Sequence, residues 1–164
     1  MKLVNQLNKY CLILFAGLFL YSCNNQHPAA MPDITTHVFR LRPGADLRKS
    51  IQEFVNERKI SAGWIVTCAG SLTKYKIRFA NQPEGSSGEG HFEIVSLTGT
   101  VSQNGSHMHL SVSDSTGKTI GGHLMEGCII YTTAEIVLQE SSSLIFKREK
   151  DAVTGWEELV VGDR

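Results

Sequence analysis

Residues 105–127 read GSHMHLSVSDSTGKTIGGHLMEG, and the alternation inside them decides what kind of domain this is. His107, His109, Ser111 and Ser113 occupy every second position, and Met108, Leu110 and Val112 fill the gaps. Successive side chains of a strand point to opposite faces, so the segment is a strand with one apolar face and one chemical face. Ser115, Thr116 and Gly117 follow as a three-residue hairpin loop, with Gly117 in the left-handed conformation such loops require at their third position. Counting outward from that loop pairs Asp114 with Lys118 and sets His109 opposite His123. The spacing therefore predicts an antiparallel hairpin.

The chain around it is mostly strand-like. Residues 34–41, 62–69, 72–80, 92–101, 128–139 and 144–148 are apolar or alternating runs bounded by glycine, proline and polar residues. Residues 81–90 are polar and glycine-rich, which reads as a mobile loop. One helix interrupts the pattern: Asp46 is a candidate N-cap, and Leu47, Ile51, Phe54 and Val55 recur at helical spacing through Asn56. Arg48, Lys49, Gln52, Glu53 and Glu57 fall mainly on the opposite face. One helix with seven or eight strands implies an α+β domain whose largely antiparallel sheet is covered on one side by the helix. Trp156, followed by Glu157, Glu158 and Leu159, reads as a cap on the sheet edge, and Glu135 is an acid in an otherwise apolar strand.

The start of the chain has a different chemistry. Lys2 and Lys9 precede and open an apolar run at residues 11–20, and no acid occurs before Asp33. A membrane span needs about twenty apolar residues, so this shorter run reads as an export signal, residues 1–22. Leu20-Tyr21-Ser22-Cys23 resembles the lipobox of bacterial lipoproteins, which implies cleavage after Ser22 and a lipid on Cys23. Residues 23–33, with Pro28 and Pro32, read as a flexible tether, and residues 34–164 as the domain. The expected location is the cell envelope, anchored by lipid to a bacterial membrane and facing the periplasm or exterior. Cys68 and Cys128 lie in apolar runs and read as two separate buried thiols, with a disulfide as the alternative that an oxidising compartment allows.

The whole chain carries 16 basic and 16 acidic residues. Removing the signal takes away two lysines and no acid, which leaves the mature protein slightly acidic. Proteins that grip nucleic acid by its phosphates need a basic surface, so charge argues against that partner.

The hairpin register carries the functional reading. Directly opposed residues have Cβ atoms about 4.5–5.5 Å apart, and His107 lies two residues along from His109 on the same face. Three imidazoles then converge at His107, His109 and His123. Three histidines with an open fourth position are the donor set of catalytic zinc sites. Gly121 and Gly122 free space beside His123 for a ligand or another chain to approach the backbone, and Glu126 is a candidate to orient a ligand or act as a base. The same spacing also fits surface histidines that only form hydrogen bonds.

The segments 90–99 (GHFEIVSLTG), His107/His109, 120–124 (IGGHL) and 132–137 (TTAEIV) together resemble the PPC family, the plant and prokaryote conserved domain that follows AT-hooks in plants. Gly70-Ser71-Leu72 resembles an earlier strand of the same family. The resemblance implies an α+β fold packed as a homotrimer, and for the prokaryotic pattern a metal or small-ligand site at His107, His109 and His123. Plant members reach DNA through Arg-Gly-Arg-Pro-like AT-hooks, and this chain contains none. His91 stands where plant members carry arginine in a partner-binding segment.

Three functions follow as expectations. The first is a lipid-anchored, trimeric module binding zinc or a small ligand on the three histidines. The second is a metal-dependent hydrolase, with a metal-bound water deprotonated by Glu126 or Glu135. The third is DNA binding, which rests on family analogy alone.

Overall fold

The structure, a computed structural model, describes residues 33–164. The export signal, the Cys23 lipidation site and the tether lie outside the described residues, apart from Asp33. Eight strands and one helix follow in the order β1 (Ile34–Leu41), α1 (Leu47–Glu57), β2 (Gly63–Arg78), β3 (Ser86–Ser102), β4 (Gly105–Ser113), β5 (Thr119–Leu124), β6 (Ile129–Ser141), β7 (Leu144–Lys150) and β8 (Glu157–Asp163). All strand pairings are antiparallel.

Helix α1 begins where the sequence places it. The Asp46 carboxylate accepts the Lys49 amide at 3.0 Å, and its other oxygen accepts the Gly127 amide at 2.6 Å. One N-cap thus starts the helix and also pins the turn between β5 and β6, a contact whose loss costs about 1 kcal/mol or more. Leu47, Ile51 and Val55 are fully buried against the sheet. Phe54 stacks on Phe39 of β1 with ring centroids 4.0 Å apart.

The strands divide into a six-stranded sheet, ordered β1-β6-β2-β3-β4-β5, and a separate hairpin of β7 and β8. This corrects the expectation of one sheet of seven or eight strands. Strand β5 also pairs with the far end of β2, through Ile77 with Leu124 and Arg78 with His123. The strands β2, β3, β4 and β5 therefore close on themselves. Leu72, Ile77, Leu110, Val112 and Leu124 fill the interior, and each such burial contributes about 1.5–3 kcal/mol.

Several boundaries differ from the sequence reading for identifiable reasons. Residues 62–69 and 72–80 are one long strand, because irregularities around Gly70 and Leu72 bend β2 without ending it. Much of the expected loop at 81–90 is strand: Ser86 to Glu89 pair with Ile77 to Lys74, so backbone hydrogen bonding overrides a polar, glycine-rich composition. Trp156 does not cap the main sheet edge; it leads directly into β8, which pairs with β7. Glu135 is exposed on β6, beside Arg40 of β1. Cys68 and Cys128 are buried and unpaired. Burial pushes their thiols up to about 12 and about 11, which keeps them protonated and poor as ligands or nucleophiles.

Gly121 and Gly122 admit neighbouring strands of the same chain. A Cβ on Gly121 would lie 2.5 Å from Ser111 Oγ, and one on Gly122 would lie 2.5 Å from the Arg78 carbonyl oxygen. Gly122→Ala is expected to lower the free energy of unfolding by about 1–3 kcal/mol through overpacking against β2. Gly162→Ala, where nothing lies within 4 Å of an added Cβ, is expected to change it by less than about 0.5 kcal/mol. Equal urea midpoints for the two variants would contradict this account of the closure.

Candidate metal centre

The β4–β5 hairpin has the register deduced from its loop. The Asp114 amide donates to the Lys118 carbonyl at 3.0 Å, and His109 sits directly opposite His123. The Asp114 carboxylate also accepts the Thr116 and Lys118 amides, at 2.8 and 3.1 Å, which holds the loop shut. On β4, Met108, Leu110 and Val112 are buried while His107 and His109 face the other way.

One nitrogen from each of His107, His109 and His123 lies within 4.8 Å of those of the other two. The Nε2 atoms of His107 and His109 are 3.2 Å apart. Two corners of a tetrahedron drawn at zinc–nitrogen distances of about 2.0–2.1 Å are about 3.3 Å apart, so these two rings already stand at a ligand pair's separation. A shared proton would hold two nitrogens at a similar distance. The third ring distinguishes the two arrangements. His123 Nδ1 is buried and has no hydrogen-bond partner, a condition that costs about 1–3 kcal/mol unless something else satisfies it. A ring with an unsatisfied buried nitrogen, its centroid 5.1 and 5.9 Å from those of His107 and His109, fits a cluster built to hold a metal ion.

The electrostatics favour the neutral form of His107 and His123. Burial, then the neighbouring His107, Arg78, His109 and Arg48, lower the pKa of His123 to about 4. His107 is lowered as well, first by burial and then by His109 and Arg148, with Glu158 opposing. Neutral imidazole is the form that binds metal.

The centre opens onto a cavity of about 790 Å³. Besides the histidines, Arg48, Arg78, Arg148, Trp156 and Glu158 line it. Arg78 arrives through the β2–β5 pairing opposite His123, and its guanidinium lies 5.8 Å from the Trp156 ring centroid. The β7–β8 hairpin supplies Arg148, Trp156 and Glu158. It is tied down by the Phe146 amide donating to Ser61, by Asn104 Nδ2 donating to the Phe146 carbonyl, and by Arg148 donating to Thr100 Oγ1. Thr100 is the cross-strand partner of His107, so this tie fixes the hairpin beside the histidines.

Glu126 stands elsewhere. Its carboxylate oxygens lie 3.4 Å from Arg48 and 3.5 Å from Lys49, and it does not border the cavity. It holds Arg48 rather than reaching the histidines itself. Sequence reasoning missed Arg78, Arg148, Trp156 and Glu158, since the strand pairings that deliver them join distant segments. The signal that was available is the apolar run Leu159-Val160-Val161 after Trp156, which marks β8.

The family model of the Plants and Prokaryotes Conserved domain matches residues 29–142. The chain belongs to this family. Bifunctional protein GlmU of Synechococcus sp. strain JA-3-3Ab is 40% identical over 134 residues, which are 80% of this chain and 22% of GlmU. AT-hook motif nuclear-localized protein 14 of Arabidopsis thaliana is 30% identical over 127 residues, 72% of this chain and 29% of that protein. The chain thus spans about a quarter of the length of these curated relatives.

Among solved structures of similar fold, one from Salmonella enterica has a TM-score of 0.80 and 39% identity, covering 82% of this chain and 97% of that one. A metal-containing protein from Archaeoglobus fulgidus has a TM-score of 0.68 and 27% identity, covering 79% and 96%. Two proteins from Bacteroides thetaiotaomicron and Ralstonia eutropha, each named for DNA binding, have TM-scores of 0.66 and 0.64 but are 21% and 18% identical, and at that distance they show the fold alone.

The depressed His123 pKa has a consequence for stability. Unfolded histidine titrates near pH 6.5, so between about 6.5 and about 4 the unfolded chain takes up a proton that native His123 refuses. Native stability of chelator-treated protein is therefore expected to fall as pH drops through that window, with no contribution from His123 above it. In a His123→Gln variant the decline in the denaturation midpoint between pH 6.5 and 4 should be shallower; an unchanged slope would contradict the burial of a neutral ring.

Proposed function

We propose that this protein is an exported, lipid-anchored member of the Plants and Prokaryotes Conserved family that holds a divalent metal, zinc by its donor chemistry, on His107, His109 and His123. The observation that carries the reading is the convergence of one nitrogen from each of the three rings within 4.8 Å, two of them already 3.2 Å apart. The similar protein from Archaeoglobus fulgidus contains metal, which supports it. Three protein donors leave a coordination position facing the cavity, which suits the binding of a small ligand rather than a purely structural ion.

Nucleic acid is not the partner in this reading. The three arginines nearest the centre are half-buried in a concave site, whereas a phosphate backbone is followed by an exposed basic strip. The functional unit in this reading is a homotrimer. Exposed Val38, Val66 and Val95, at 74%, 49% and 57%, supply apolar surface on the strands that assembly would cover.

Two experiments test the reading. Elemental analysis of the wild-type protein is expected to give about one zinc per chain, and of the His107→Ala/His123→Ala variant less than a tenth of that; equal, negligible metal in both would overturn the metal centre. Cys23→Ala is expected to move the protein from the membrane fraction to the soluble fraction, and unchanged membrane association would overturn the anchor.

A further inference from the structure

The cavity holds more positive charge than a metal centre alone requires. Arg48 is engaged by Glu126, yet Arg78 and Arg148 take part in none of the four ion pairs among the described residues. Arg78 donates to the Gln82 carbonyl at 3.4 Å, and Arg148 donates to Thr100 Oγ1. A guanidinium carries five N–H donors, so most of the donors on both remain unspent. Glu158 lines the same cavity without pairing with either arginine; its carboxylate accepts the Thr154 hydroxyl at 3.0 Å.

We propose, resting on the metal reading above, that the ligand of this centre is a small oxyanion, a carboxylate- or phosphate-bearing molecule held between the metal and the guanidinium groups of Arg78 and Arg148. Planar guanidinium forks match the paired oxygens of both groups, and charge-assisted bonds of this kind are about twice as strong as neutral ones. The charge balance agrees. With Arg48 set against Glu126, Arg78 and Arg148 balance Glu157 and Glu158, and a divalent ion then leaves the site with two positive charges. A cavity of about 790 Å³ admits a small molecule and excludes a folded partner.

Each arginine is placed by the same contacts that place a histidine. Arg78 is the cross-strand partner of His123, and Arg148 bonds to the cross-strand partner of His107. The two guanidinium groups therefore approach the centre from two elements, β2 and β7. The family match ends at residue 142, before the hairpin that carries Arg148. That hairpin supplies the second fork.

The test uses the chain as produced in cells, purified in detergent and loaded with zinc. Inorganic phosphate and malonate are titrated separately by calorimetry into the wild type, Arg78→Gln, Arg148→Gln and Arg148→Lys, with zinc content measured in each. At least one of the two anions is expected to bind the wild type. Both glutamine variants should bind it tenfold or more weakly with unchanged zinc, and the tighter of the two anions identifies the ligand class. Arg148→Lys keeps the charge and loses the fork, so it should recover part of the affinity. It also carries the comparison if Arg148→Gln loses its near-ultraviolet dichroism. Zinc retained with no anion bound, or with binding unchanged in both glutamine variants, would overturn this proposal and leave the metal centre standing. A wild type without zinc would remove the metal reading and this proposal with it.

Discussion

The structure depends on strand β5 lying between β4 and β2. Its pairing with β4 is set by a hairpin loop that Asp114 holds shut, and this puts His123 opposite His109. Its pairing with β2 requires that Gly122 have no side chain, since a Cβ there would strike the Arg78 carbonyl. A slip of one residue in the first pairing would turn His123 to the opposite face. Loss of the second would open the closed strands and expose the interior around Ile77 and Leu124. Histidine convergence and core closure are two results of one strand's position.

What was legible in the sequence follows the range of the forces involved. The β4–β5 register could be counted because a three-residue loop with Gly117 leaves one pairing open, and the start of the helix could be read because Asp46 precedes an apolar stripe of helical spacing. Both are local rules. Residues 86–89 read as loop because Ser86, Ser87, Gly88 and Glu89 have little intrinsic strand preference, and only Tyr75 and its neighbours on β2 make them a strand. The arginine side of the cavity was hidden for the same reason. Arg78 reaches His123 across a pairing of segments far apart in the chain, and Arg148 comes in on a hairpin whose position is set by contacts with Ser61, Thr100 and Asn104. Glu126, singled out for its nearness in sequence to His123, turns instead to Arg48 and Lys49 at the start of the helix.

The centre combines features that oppose one another. Burial and the nearby guanidinium groups disfavour the protonated forms of His107 and His123, and so preserve the lone pairs that a cation binds. The same guanidinium groups repel a bare cation, and a negatively charged ligand at the open position would relieve that repulsion. Under the proposed function, metal and anion would in this sense be complementary occupants of one cavity. In this chain the β-sheet supplies the histidines and Arg78, while the hairpin after residue 142 adds Arg148, Trp156 and Glu158. In the proposed function the sheet would hold the metal, and the ligand would be gripped from both sheet and hairpin.

The central claim is that the three rings share one ion. A crystal structure with anomalous diffraction recorded on both sides of the zinc absorption edge tests it directly. The account predicts a single edge-dependent peak about 2.0–2.1 Å from one nitrogen of each of His107, His109 and His123. An absent peak, with His123 Nδ1 bonded instead to a protein group or a water, would contradict it.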